Sequence, residues 1–190
     1  YSGELLIDQY DEVVRYETRE LNAFMRPSSF SDIKIGRQIL TWGTGDYLFI
    51  NDMFPKDYVS FFIGRDDEYL KKPSDALRVS LFHDIANLDA VYIPWFEPNT
   101  IIQGDRLSFY DTFRGEITGE LSERIVREPS HQFENGEAAL RLYRTIDRFE
   151  AAGYFFHGFS KSPYGYKNNV NELYFPPVNV YGASMRGPAF

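Results

Sequence analysis

The 190-residue chain contains no cysteine, so disulfide staples, thiol catalysis, thiolate zinc sites and iron–sulfur clusters are all excluded. Long apolar runs are also missing: none approaches the ~18 residues that a membrane-spanning helix needs. Strands that cross a membrane give a much weaker signal and are not addressed by that count. Positive charge is scarce, with 20 Lys and Arg against 28 Asp and Glu and a formal net charge of -8. Such a balance argues against nucleic acid, because phosphate binding requires clustered cations. The three histidines, His83, His131 and His157, share no metal-ligand spacing. There is no Walker loop, no dinucleotide fingerprint and no Gly-x-Ser-x-Gly elbow, and catalysis has no positive support. No basic-then-apolar segment opens the chain, which begins at Tyr1 rather than Met. It is read as processed or as a fragment.

Aromatic residues are abundant at 17%, with 14 Tyr and 17 Phe, while the mean hydropathy of -0.40 is that of a polar protein. A barrel of strands reconciles the two, with apolar side chains facing lipid, polar ones facing an aqueous interior, and hydrophilic loops. A β-rich soluble domain using rings in its core is the competing reading.

One hairpin pattern is written twice. Ala76–Leu81 leads through Asp84-Ile85-Ala86-Asn87 to Leu88–Ile93, and Ala139–Arg144 leads through Thr145-Ile146-Asp147-Arg148 to Phe149–Phe156. Long polar segments follow each return strand. A further strand is expected over residues 12–25, ended by Pro27-Ser28-Ser29, with a surface helix as the alternative there. An alternating run follows from Phe30 and Ile33 to Leu40, and a last strand runs from Val178 to about Arg186. Long loops are expected at about 44–75, 97–137 and 160–177, the first able to fold into an interior as a constriction. Residues 97–137 hold nine acids against four bases, a net of -5, and their middle, Gly119–Arg127, is a candidate short helix. The expected fold is all-β: one domain over 1–190, an antiparallel meander of about seven strands forming part of a transmembrane β-barrel. Short periplasmic turns would lie at one end and long extracellular loops at the other. The odd strand count again favours a fragment.

Gly36-Arg37-Gln38 with Trp42-Gly43 behind it, the run Asn51-Asp52-Met53-Phe54-Pro55-Lys56-Asp57, and the hairpins at 76–96 and 138–159 carry a resemblance. Together they resemble the porin-like outer-membrane barrels of Gram-negative bacteria, and within them the alginate-export type and its uncharacterised relatives. The similarity runs from about Glu12 to Arg186. It implies a monomeric β-barrel in the bacterial outer membrane that passes small or polymeric solutes, with the lipid bilayer as its partner; no cofactor or metal is expected. The basic interior of an alginate exporter is not evident in so acidic a chain.

Arg78 stands between Leu77 and Val79, and Arg141 between Leu140 and Leu142. If the apolar neighbours face lipid, both arginines face the interior, since Arg on the lipid face costs about 2–4 kcal/mol at the midplane. Arg37, Arg78, Ser80, Arg141 and Tyr143 are therefore the candidate pore-lining residues, and Trp42, Trp95 and Phe96 the candidate interface aromatics. Arg144 also lies in an expected strand. The arginines form either a ladder that attracts anions or braces paired with Asp and Glu, and bracing has the better odds. Asp66-Asp67-Glu68 lacks the glycine and alternating acids of a calcium loop and reads as a solvated turn. The acids of 97–137 could meet lipopolysaccharide through bridging divalent cations, or simply keep a loop soluble. The rival function from another class is a soluble carbohydrate-binding or hydrolytic β-domain, with exposed Tyr and Trp as sugar platforms.

Overall fold

The computed structural model describes residues 1–8, 12–42, 49–104, 107–112, 115–119, 125–167 and 172–188. In chain order the elements are β1 (Ser2–Asp8), β2 (Val13–Ser28), β3 (Ser31–Ile39), the short helix α1 (Tyr58–Phe62), β4 (Pro73–Leu81) and β5 (Asn87–Ile93). Three short strands follow, β6 (Phe109–Asp111), β7 (Glu116–Thr118) and β8 (Ile125–Arg127). Then come β9 (Glu137–Ile146), β10 (Phe149–Phe159), β11 (Gly165–Lys167), β12 (Glu172–Tyr174) and β13 (Pro177–Arg186).

The protein is all-β, and its main sheet has eight strands in the order β1-β2-β3-β4-β5-β9-β10-β13. Every neighbouring pair is antiparallel. Among the described residues β1 and β13 are the edges, and the sheet does not close on itself. The count of about seven strands is corrected to eight: β1 was missed because Leu5-Leu6-Ile7 reads as an apolar run without alternation. Residues 13–25 are strand, with Glu12 in the turn before them, and β2 continues through Pro27 by a register shift between Met25 and Ser28.

Strand polarity places the links at 29–30, 82–86 and 147–148 at one end of the sheet and the three long connections at the other, together with the short β1–β2 link. The last hairpin is tighter than expected, with Ile146 paired to Phe149 and Asp147 at a φ of 54°, which aspartate tolerates. The long connections carry structure of their own. Asp57 caps α1 by accepting from the Ser60 N–H, β11 pairs with β12 and β12 with β8, and β6 pairs with β7. The candidate helix at Gly119–Arg127 is corrected at its end, where Ile125–Arg127 is a strand parallel to β12; residues 120–124 lie outside the described residues, as do Gly43–Gly45 behind Trp42.

Strand alternation gives the sheet two unlike faces. One is covered near the long loops by residues 52–56, where Leu40, Trp42, Phe54, Val91, Ile93, Tyr154 and Phe156 form a dry cluster. The Trp42 and Phe54 rings meet edge to face at 5.1 Å. Each of these large side chains contributes about 1.5–3 kcal/mol through burial. Among the described residues nothing covers the other, bare face.

Candidate functional site

Toward the short turns the covered face changes from apolar to charged. Register places Ser80, Asp89 and Arg141 in one cross-strand row over β4, β5 and β9. Asp89 is only 1% exposed. Ser80 donates to its Oδ1, Arg78 lies 3.4 Å from the same oxygen, and Arg141 lies 3.6 Å from Oδ2. Arg141 also donates to Glu150 at 2.8 Å, and Arg186 reaches the second oxygen of Glu150 at 3.1 Å. The Tyr143 ring lies under the Arg141 guanidinium at 4.1 Å. Two more pairs extend the array along β2 and β3: Arg26 grips Asp32 with two hydrogen bonds of 2.6 and 2.8 Å, and Lys34 lies 3.4 Å from Glu20.

Arg78, Ser80, Arg141 and Tyr143 therefore share one polar surface. Asp89 and Glu150 alternate with the arginines along it, and the positive groups are paired as braces rather than stacked as a ladder. The array is not saturated, since the Nε–H groups of Arg78 and Arg141 are buried without a hydrogen-bond partner among the described residues. Arg78 and Arg141 are not on adjacent strands, because β5 runs between them and supplies Asp89.

Arg37 is not in this group. It pairs across the ladder with Asp75, on the bare face that carries Leu77 and Ile35. Its guanidinium ties three parts of the loop-side rim together, donating to the Thr18 carbonyl at 2.9 Å and reaching Glu97 at 3.3 Å and Asp75 at 3.6 Å. The three candidate interface aromatics also part company. Trp42 and Phe96 are buried inside the protein, Trp42 in the core cluster and Phe96 against Phe159 and Phe175, so neither ring is at an outer surface. Trp95 is half-buried and stacks on His131 with ring centroids 4.5 Å apart.

A second polar system, with little local signal in the sequence, knits the long connections together. Asn99 accepts from the Lys56 N–H, donates its own N–H to the Lys161 carbonyl, and donates Nδ2 to Ser162 Oγ. Lys56 is 2% exposed, lies 3.1 Å from Asp52 and donates to the Phe54 carbonyl. Asp52 in turn accepts from Thr41 Oγ1 and the Phe54 N–H. Lys161 is held by Glu137 and the Glu97 carbonyl. Burial pushes the Lys56 and Lys161 ammonium groups below the ordinary lysine value, against the opposing pull of Asp52 and Glu137. Two such buried pairs require their partners, because each would leave an uncompensated charge if broken.

The bare face inverts the usual pattern of a folded protein. Leu5, Ile7, Val14, Tyr16, Leu21, Met25, Ile35, Leu77, Leu81, Tyr92, Leu140, Leu142, Ile146, Tyr181 and Met185 all project from it and are exposed, Leu5 by 63% and Tyr181 by 77%. Its charged members sit near its ends, Arg37 and Asp75 beside the loops and Arg144 beside the turns. Arg144 pairs with Ala151, six residues before His157 on the same face of β10, so the uncharged stretch there is about 20 Å along the strand. Among the described residues no group of three or more His, Asp or Glu side chains could hold a metal ion, and no helix is long and apolar enough to cross a membrane.

No family model, curated protein or solved structure matches the chain.

Proposed function

We propose that this chain builds part of the wall of a Gram-negative outer-membrane β-barrel, a porin-like channel for small solutes without enzymatic activity. The observation that carries the reading is the bare face: exposed apolar side chains from strand after strand, with charge only near its ends, opposite a face whose lower half is charged. In water so large an apolar surface would drive association. Against hydrocarbon it is the favoured arrangement, and lumenal polarity opposite a lipid-facing band is the pattern of transmembrane barrels. The resemblance to alginate-export-type barrels points the same way. Arg144 at the band's edge can extend its head toward an interface while its stem stays in lipid.

Residues 52–56 would then fold inside the barrel as a constriction, and the array around Asp89 would line the passage beneath it. Each cation there lies against a carboxylate, so the wall carries no ladder of unpaired positive charge. That favours small solutes over export of a polyanion.

Extraction and conductance test the reading together. The protein should require detergent to remain monodisperse and should raise the conductance of planar bilayers in discrete steps. A monodisperse, detergent-free preparation without conductance would overturn it and favour the soluble carbohydrate-binding or hydrolytic domain.

A further inference from the structure

A groove of ≈ 320 Å³ opens among the long connections. All three contribute to its walls: Tyr58 and Phe62 from the first, Ile102 and Phe109 from the second, Pro163 and Tyr164 from the third. Among the described residues no charged side chain lines it. Its walls are fixed by the hydrogen bonds that knit the loops: the Tyr58 N–H donates to the Thr100 carbonyl at 2.9 Å, the Thr100 N–H to the Lys56 carbonyl at 2.8 Å, and Asn99 Nδ2 to Ser162 at 3.0 Å. The site is therefore formed before anything enters it, and the exposed Phe62 and Tyr164 rings stand at its rim.

We propose that this groove binds an uncharged one- or two-ring aromatic solute, such as a phenol, at the loop side of the channel. The inference rests on the channel reading and narrows its solute class. Volume sets the size, since a cavity of roughly 150 Å³ accepts benzene and this groove is about twice as large. Lining sets the chemistry: rings and branched aliphatic side chains favour a flat apolar body through stacking and burial. A sugar needs several convergent polar partners, and the Ser162 oxygen already accepts from Asn99. A carboxylate or ammonium ligand would find no counter-charge among the described lining residues. The Tyr58 proton is held more tightly than usual, by burial first and then by Tyr164 and Asp52, so its phenol remains a neutral donor for one polar substituent.

The probe is 2-naphthol, titrated by fluorescence into the whole protein in the detergent that keeps it monodisperse, with protein-free detergent subtracted. The expected result is saturable binding of one 2-naphthol per chain, weakened about tenfold in the double variant Phe62→Ala/Tyr164→Ser, where two stacking rings are lost. Both positions are exposed, so the variant keeps its fold, checked by far-UV circular dichroism. Non-saturable uptake that is equal in wild type and variant would overturn the proposal, as would displacement of 2-naphthol by maltose. A protein that conducts but does not bind the probe overturns this inference alone. A protein that binds it without conducting supports the groove and overturns only the channel.

Discussion

Asp89 and Arg141 occupy directly opposed positions of the β5–β9 ladder, with their charges 3.6 Å apart. Arg78 reaches the same carboxylate from β4 on the other side, so one buried anion is shared by two guanidinium groups. This relationship decides how the charged face behaves.

Replacing Asp89 with Asn should leave Arg78 without the carboxylate it contacts and Arg141 with Glu150 alone, and so raise the anion preference of a conducting barrel, because low-dielectric walls focus the field of unpaired charge. It should also cost about 3 kcal/mol of stability, the scale for breaking a buried pair. Reversal potentials in asymmetric KCl, together with a urea midpoint, measure both. The converse substitution, Arg78 and Arg141 both to Gln, should lower anion preference but leave Asp89 buried without a counter-charge. Assembly would suffer more than it would if the arginines formed an independent ladder.

On the bare face, Leu142→Arg gives opposite results in the two environments. If Leu142 meets lipid near the midplane, the change costs about 2–4 kcal/mol. If it meets water, the effect stays within about 0.5 kcal/mol. Equilibrium unfolding from lipid vesicles is expected to show the larger loss.

Much of the fold was legible from alternation. Leu77, Val79 and Leu81, and Leu140 and Leu142, fixed the facing of both hairpins, and a period of two carries that facing along a strand. What alternation could not supply was strand order, and with it the carboxylate between Arg78 and Arg141. Asp89 lies in the same repeated hairpin, but only the pairing of β5 with β9 brings it against Arg141. Arg37 was misplaced because it was grouped with the other strand arginines by residue type, whereas its parity relative to Ile35 puts it on the bare face. Trp42 stood at a strand end, as an interface ring would. Its burial depends on Phe54, twelve positions on, and no local pattern reports that contact. The loop lattice around Asn99 was illegible for the same reason, since Asn99 on the second connection finds its partners on the first and the third.

Gly36 illustrates a local signal with a clear cause. Its φ is +116°, and a Cβ there would lie 2.4 Å from the Leu21 carbonyl oxygen. Gln38, two residues on, is buried and donates Nε2 to the Ala76 carbonyl at 3.0 Å. Gly36→Ala should therefore destabilise the protein by roughly 1–3 kcal/mol whatever surrounds the sheet. A urea midpoint unchanged from wild type would contradict the β2–β3 geometry.

The Lys56–Asp52 pair makes a pH-dependent contribution. Burial holds Lys56 below the ordinary value of 10.5, so the unfolded chain binds that proton more tightly than the folded one. The cost of the buried charge is fully present below the folded value, and stability from this group rises with pH up to about 10.5. Lys56→Met should remove that rise and, by leaving Asp52 without its cation, cost about 3 kcal/mol at neutral pH. Urea midpoints of the two proteins across the alkaline range provide the comparison.

The central claim is that the bare face meets lipid and the charged face meets water. Leu142 and Tyr143 test it directly, being successive residues of β9 that point to opposite faces. A nitroxide attached to a cysteine at each position, in vesicles, reports collisions with oxygen, which concentrates in lipid, and with a water-soluble nickel chelate. The expected result is oxygen-dominated relaxation at 142 and nickel-dominated relaxation at 143. Equal nickel access at both positions, with the protein remaining in the aqueous phase, would contradict it.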